Sequence, residues 1–168
     1  MAKKPRKIQR ATLIIVGEGI YDKAFLDHMK SIYDTRDTNQ KVTIKPGDGG
    51  SPGDVIHTVI KERHVQYSRR CILIDSDIPL NDEDKNKIRK HKIIVIQSKP
   101  LCLEGMLLDI LDQSPPCSSQ ECKKVLHQQL SGPPSRKESY QQLFTKQVLD
   151  RSTKEQIIKL KKLLLNDK

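Results

Sequence analysis

The sequence predicts an α/β fold: about four mainly parallel strands with helices on both faces, followed by a C-terminal helical extension. Three observations lead there. Short apolar runs ending in glycine or acids alternate with helical patterns across residues 11–112. Aromatics make up only 4% and Trp is absent, so the core must be built from Ile, Leu and Val, which suits a sheet covered by helices. Beyond residue 113 no strand pattern follows. A chain of 168 residues is long enough to bury such a core without disulfides.

The elements follow in order. Residues 1–10 carry Lys3, Lys4, Arg6, Lys7 and Arg10 and read as a disordered basic arm. "ATLIIVG" (11–17) is a buried strand ending in glycine, and "IYDKAFLDHMKSIY" (20–33) has Ile20, Phe25, Met29 and Ile32 near helical spacing. "KVTIKP" (41–46) alternates and is rich in β-branched residues, as a strand does. "GDGGSPGD" (47–54) is a tight loop. Ser51 is a good N-cap and Pro52 fits the first turn of a helix that runs to about Tyr67. "RCILIDSD" (70–77) is apolar on both faces and stops at two acids. A polar helix (79–91), a second doubly buried strand "KIIVIQS" (92–98) and the helix "CLEGMLLDIL" (102–111) complete the α/β part. After the Ser- and Pro-rich linker at 113–120, helices are expected at 119–130, 136–149 and 152–165. The breaker "SGPP" separates the first two, and Ser152 with Glu155 forms a capping box for the last. The division is a basic arm (1–10), an α/β domain (11–112) and a helical extension (113–168). The apolar stripe Ile157, Ile158, Leu160, Leu164 and Leu165 is core, or the seam for a partner protein or a second copy.

Thirty-one Lys and Arg against 21 Asp and Glu give a net charge of +10, which favours a polyanionic partner, DNA or RNA. The four cysteines, Cys71, Cys102, Cys117 and Cys122, form no C-x-x-C pair, so a zinc ribbon is not expected. The five histidines have no ligand spacing and read as structural or exposed. The apolar run after the basic arm is too short for a signal-peptide core, and none approaches a membrane span. The expectation is a cytoplasmic protein without membrane contact.

In a parallel sheet, ligand sites lie beyond the carboxyl ends of the strands. Glu18 follows the first strand, Asp75 and Asp77 end the third, and Glu104 lies just past the fourth. Burying one unpartnered carboxylate is costly, and two that face the same side in extended geometry repel unless a cation lies between them. Mg²⁺ or Mn²⁺ fits such oxygen donors and leaves room for a phosphate. A capping Asp and a solvated turn acid are the simpler alternative for Asp75 and Asp77. Gly17 and Gly19 begin a dinucleotide fingerprint, but its sixth position is Asp22 and its turn holds Glu18, both of which repel a pyrophosphate.

"VGEGIYD" followed by "LIDSD" resembles the TOPRIM domain of primases, topoisomerases and OLD-type nucleases. That family places a glutamate in an E-G turn after the first strand and a D-x-D after a later one; the matching positions are Glu18, Asp75 and Asp77. "SKPLCLEGMLLDIL" (98–111) and "GGSP" (49–52) resemble segments of RloB-like members, with Cys102, Leu103 and Glu104 at the cysteine, aromatic and glutamate places. The proline sits one place early, at Pro100, and Met106 stands where an aromatic is usual. The resemblance covers roughly 11–112. It implies a Rossmann-like TOPRIM fold, Mg²⁺ or Mn²⁺ held by the acids, and nuclease (hydrolase) chemistry on DNA or RNA, in a group often tied to phage defence.

On that reading Asp75 and Asp77 hold the metal, and Glu18 is a further ligand or a general base. Glu104 holds a second metal, accepts a hydrogen bond from a basic side chain, or compensates a helix dipole. Lys99 contacts a phosphate or stabilises the leaving oxygen, or is a surface residue. Asp22 is support behind the site or serves the helix dipole. Two other readings use the same acids: a non-catalytic module binding nucleic acid or a partner protein, and a phosphotransfer or nucleotide-binding enzyme.

Overall fold

The structure is a computed structural model that describes residues 10–48, 50–62 and 65–167. The expected basic arm therefore lies outside the described residues except for Arg10, which is exposed, as do Gly49 of the tight loop and His64. Strands β1 (Ala11–Gly17), β2 (Gln40–Pro46), β3 (Arg69–Asp75) and β4 (Ile93–Ser98) form one sheet in the order β2-β1-β3-β4. Every neighbouring pair is parallel. Helices α1 (Ile20–Tyr33), α2 (Pro52–Lys61) and α3 (Asp82–His91) connect the strands. The chain continues through α4 (Leu103–Ile110), α5 (Ser119–Gln129), α6 (Lys146–Arg151) and α7 (Glu155–Leu165).

Strand alternation sorts the apolar side chains into two layers. Leu13, Ile15, Cys71 and Leu73 face Phe25 and Met29 of α1, together with α4, α5, α6 and α7. Ile14, Val16, Ile72 and Ile74 face Val55, Ile56 and Val59 of α2, with Ile88 of α3 at the margin. Both faces are covered, which explains why β1 and β3 read as continuous apolar runs. Each fully buried Leu or Ile adds about 1.5–3 kcal/mol relative to leaving it exposed.

The helices after residue 113 share the first of these cores. Leu126, Tyr140, Phe144, Leu149, Ile157, Leu160 and Leu164 pack in the same cluster as Phe25 and Ile15. Ile158 and Leu165 of the expected stripe stay partly exposed. The C-terminus of α7 is tied to the sheet. Gln40 Nε2 donates to the Leu163 and Leu164 carbonyls at 2.9 and 2.6 Å. Arg69 donates to the Leu163 carbonyl and to Asn166 Oδ1. These bonds satisfy carbonyls that the end of a helix leaves without partners.

Five boundaries differ from the sequence expectation. The polar helix α3 opens at Asp82 and not at 79, because Asn81 Oδ1 caps it by accepting from the Asp84 amide at 2.8 Å. β3 stops at Asp75, because the amides of Ser76 and Asp77 both turn onto the Leu101 carbonyl, at 2.9 and 3.1 Å. α2 ends at Lys61. The expected helix over 136–149 is a 3₁₀ turn (Lys137–Tyr140) followed by α6, whose new start is capped by Thr145 accepting from the Val148 amide. Ser152 does not begin α7: its hydroxyl accepts from the Lys154 amide, and the helix opens at Glu155 without a side-chain cap. Among the described residues, no helix is long and apolar enough to cross a membrane.

Candidate metal centre

The order β2-β1-β3-β4 places β1 beside β3 at the sheet's centre. From their carboxyl ends the chain leaves toward opposite faces, into α1 on one side and toward α3 on the other. Divergence at neighbouring strand ends opens a crevice, the usual ligand position in such sheets. It is a cleft of about 430 Å³ lined by Glu18, Gly19, Ile20, Tyr21, Asp22, Gly50, Asp75, Leu103, Glu104 and Lys123.

Each acid arrives by its own local device. Glu18 leaves β1 after Gly17, where a Cβ would lie 2.4 Å from the Cβ of Asp22. The bare glycine lets the first turn of α1 fold back over the strand end. The Gly19 amide then donates to Asp22 Oδ2 at 3.0 Å, and Asp22 sits only 7% exposed. Across the crevice, Glu18 Oε1 accepts from the Asp75 amide at 2.9 Å. Asp75 Oδ1 accepts in turn from the Leu103 amide at 3.1 Å. It thereby caps α4, whose own N-cap, Cys102, offers no side-chain bond. Glu104, in the first turn of α4, is 2% exposed, and its Oε1 meets His127 Nε2 of α5 at 3.1 Å. Gly105 lets the first turn of α4 lie against the preceding turn, since a Cβ there would lie 2.3 Å from the Pro100 carbonyl oxygen.

The clustering shows in the acidities. Burial, then Glu18, Asp22, Asp77 and Glu104, pushes the Asp75 carboxyl up to about 8. Burial, which outweighs the lowering pull of the Gly19 amide bond, pushes Asp22 up to about 7, with smaller contributions from Glu104 and Glu18. Glu18 is also raised, mainly by burial, against the lowering pull of the Asp75 amide and, more weakly, Lys123. Asp22 Oδ1 is buried without a hydrogen-bond partner.

Two residues expected at the site lie elsewhere. Asp77 does not line the cleft. Once β3 ends at Asp75, the extended geometry that would align the two acids is lost, and exposed Asp77 accepts from Ser119 Oγ at 2.8 Å. It still adds to the negative field on Glu18 and Asp75. Lys99 lines a separate cavity with Leu80, Gln97, Glu155, Gln156 and Lys159, because the chain after β4 passes along α7 there. Conversely, Lys123 enters the cleft and His127 stands directly behind it, both on α5. Their spacing of four puts them on one helical face, but no sequence signal told where that face would dock.

Hard carboxylate oxygens are the donors that Mg²⁺ and Mn²⁺ take. The raised carboxyl pKa values, caused first by burial and then by the neighbouring carboxylates, and the orphaned Asp22 Oδ1 mark a cluster whose ionised form a cation would favour. The residues therefore fit such an ion by chemistry. Among the described residues, no three of His, Cys, Asp or Glu stand close enough together to hold one in this arrangement. Comparisons with protein-family models, curated proteins and solved structures find no match to this chain.

Proposed function

We propose that the cleft is a Mg²⁺ or Mn²⁺ site for cleaving phosphodiesters of DNA or RNA, in keeping with the resemblance of Glu18, Asp75 and the Glu104 segment to TOPRIM nucleases. One observation carries the reading: Glu18, Asp22, Asp75 and Glu104 converge with Lys123 on a single cleft at the sheet's topological crevice. A bound divalent cation supplies charge neutralisation at the phosphate.

The chain's own groups do the rest. Glu18 and Asp75 each hold one oxygen on a backbone amide and keep the other for the ion or for a proton. Asp75, pushed up to about 8 first by burial, is suited to exchange a proton near neutrality, and Glu18 is shifted in the same direction, mainly by burial. Lys123, an exposed cation on the rim, draws a phosphate toward the acids and takes the part expected of Lys99. The net charge of +10 brings a polyanion to the surface.

The test is cleavage of DNA and RNA with Mg²⁺ or Mn²⁺, run beside Asp75→Ala and Glu18→Ala. Cutting by the wild type alone supports the nuclease. A second reading rests on the amide bonds themselves: Glu18 and Asp75 hold the strand ends together as structural acceptors, so the chain serves as a non-catalytic binding module. Salt-sensitive nucleic-acid binding that survives both substitutions, with no cutting by any of the proteins, selects that reading.

A further inference from the structure

The acids of the cleft differ in what holds them. Glu18 is fixed by the Asp75 amide, Asp75 by the Leu103 amide and Asp22 by the Gly19 amide. A side-chain substitution elsewhere cannot remove those backbone donors. Glu104 is held by a side chain, His127, at 3.1 Å. The two residues come from opposite sides of the 113–120 segment, on α4 and α5.

We propose that His127 is the positioning residue of the cation site, fixing the Glu104 carboxylate toward the metal. This rests on the reading of the cleft as a metal centre. A carboxylate that ligates a cation only accepts, so in that state His127 Nε2 donates to Oε1 across the 3.1 Å contact. That leaves Oε2 of Glu104 for the ion. The imidazole is itself held. Tyr21 of α1 meets it edge to face, with ring centroids 5.1 Å apart, and its side chain is only 24% exposed. The His127 ring thus lies between Tyr21 of α1 and Glu104 of α4, and moving it away would open a gap beside a carboxylate that is 2% exposed.

Partners behind a metal ligand orient it and sharpen its basicity, and losing one typically costs about 10–100-fold in metal affinity. The substitution with Gln keeps an N–H donor on a side chain of similar reach; the substitution with Ala removes it. The experiment is a Mn²⁺ titration of the full chain, with free Mn²⁺ read by electron paramagnetic resonance, for wild type, His127→Gln and His127→Ala. Thermal melts of the metal-free proteins run alongside.

Wild type should bind Mn²⁺, His127→Ala should bind about 10–100-fold more weakly, and His127→Gln should recover most of the loss. A merely structural histidine would lower the melting temperature and leave the Mn²⁺ affinity of the folded protein unchanged. Equal affinities in wild type and His127→Ala overturn the proposal while leaving the metal centre intact. Absence of Mn²⁺ binding by the wild type overturns both, and only that outcome reaches the metal centre itself. Should His127→Ala fail to fold, His127→Gln against His127→Leu at the same position decides it: equal affinity in the two sinks the proposal.

Discussion

The backbone amide of Asp75, the last residue of β3, donates to Oε1 of Glu18, the first residue beyond β1, at 2.9 Å. One bond thus joins the two strand ends that frame the cleft. The Asp75 side chain extends the link to the start of α4 at Leu103. Strand β1, strand β3 and helix α4 meet through two carboxylates, each with an oxygen to spare.

Replacing Glu18 should separate its two roles. Glu18→Gln keeps an oxygen to accept from the Asp75 amide but removes the charge. The metal-free protein should melt at the same temperature or higher, and divalent-cation binding should fall. Glu18→Ala also deletes the acceptor and should cost a further ~0.5–1.5 kcal/mol. Denaturant titrations of the three metal-free proteins check the order.

The acids make stability depend on pH in a defined sense. Asp22 and Asp75 have folded values of about 7 and about 8, against an ordinary 3.8. Between the ordinary and the raised values the folded chain binds more protons than the unfolded one, so stability falls as pH rises through that window. The metal-free melting temperature should therefore drop from about pH 5 to about pH 8 through these two groups. Asp75→Asn should flatten that slope. Mn²⁺ should raise the wild-type melting temperature more at the upper pH, where it displaces fewer protons. A slope that is the same in Asp75→Asn and wild type would count against the cluster.

Gly105→Ala should destabilise through a single atom. Its Cβ would meet the Pro100 carbonyl oxygen at 2.3 Å, and that partner is backbone and cannot rotate aside. Overpacking of this kind costs about 1–3 kcal/mol. In a chain of this size each kcal/mol moves the melting temperature by roughly 2–4 °C. Calorimetry reads the shift directly.

The helices beyond 113 should be needed for folding. Phe144 is fully buried against Phe25 and Tyr140, with ring centroids 5.8 and 6.2 Å away. Phe144→Ala should cost about 3–5 kcal/mol, and a chain ending at residue 112 should show no cooperative melt. A cooperative transition in that shorter chain would contradict the shared core.

The strands were legible because both faces of the sheet are covered: "ATLIIVG" and "RCILI" have no polar side to hide them. A parallel order by itself directs Glu18, Asp75, Asp77 and Glu104 to one edge of the sheet. What failed was local. The end of β3 depends on the Leu101 carbonyl, a contact made 24 residues or more along the chain. The position of Lys99 depends on where α7 docks. His127 carried no spacing signal, since its partner is a glutamate across a linker and not a second ligand on its own helix. Asp22 was visible as the residue that breaks the dinucleotide fingerprint, yet its closeness to Gly17 required the fold-back of α1.

The most direct test of the metal centre is anomalous diffraction from crystals grown with Mn²⁺. A metal centre in the cleft gives a Mn²⁺ peak touching carboxylate oxygens of Glu18 and Asp75, and that peak is lost in Asp75→Asn. A cleft without a peak at saturating Mn²⁺, or a peak that persists unchanged in Asp75→Asn, would contradict it.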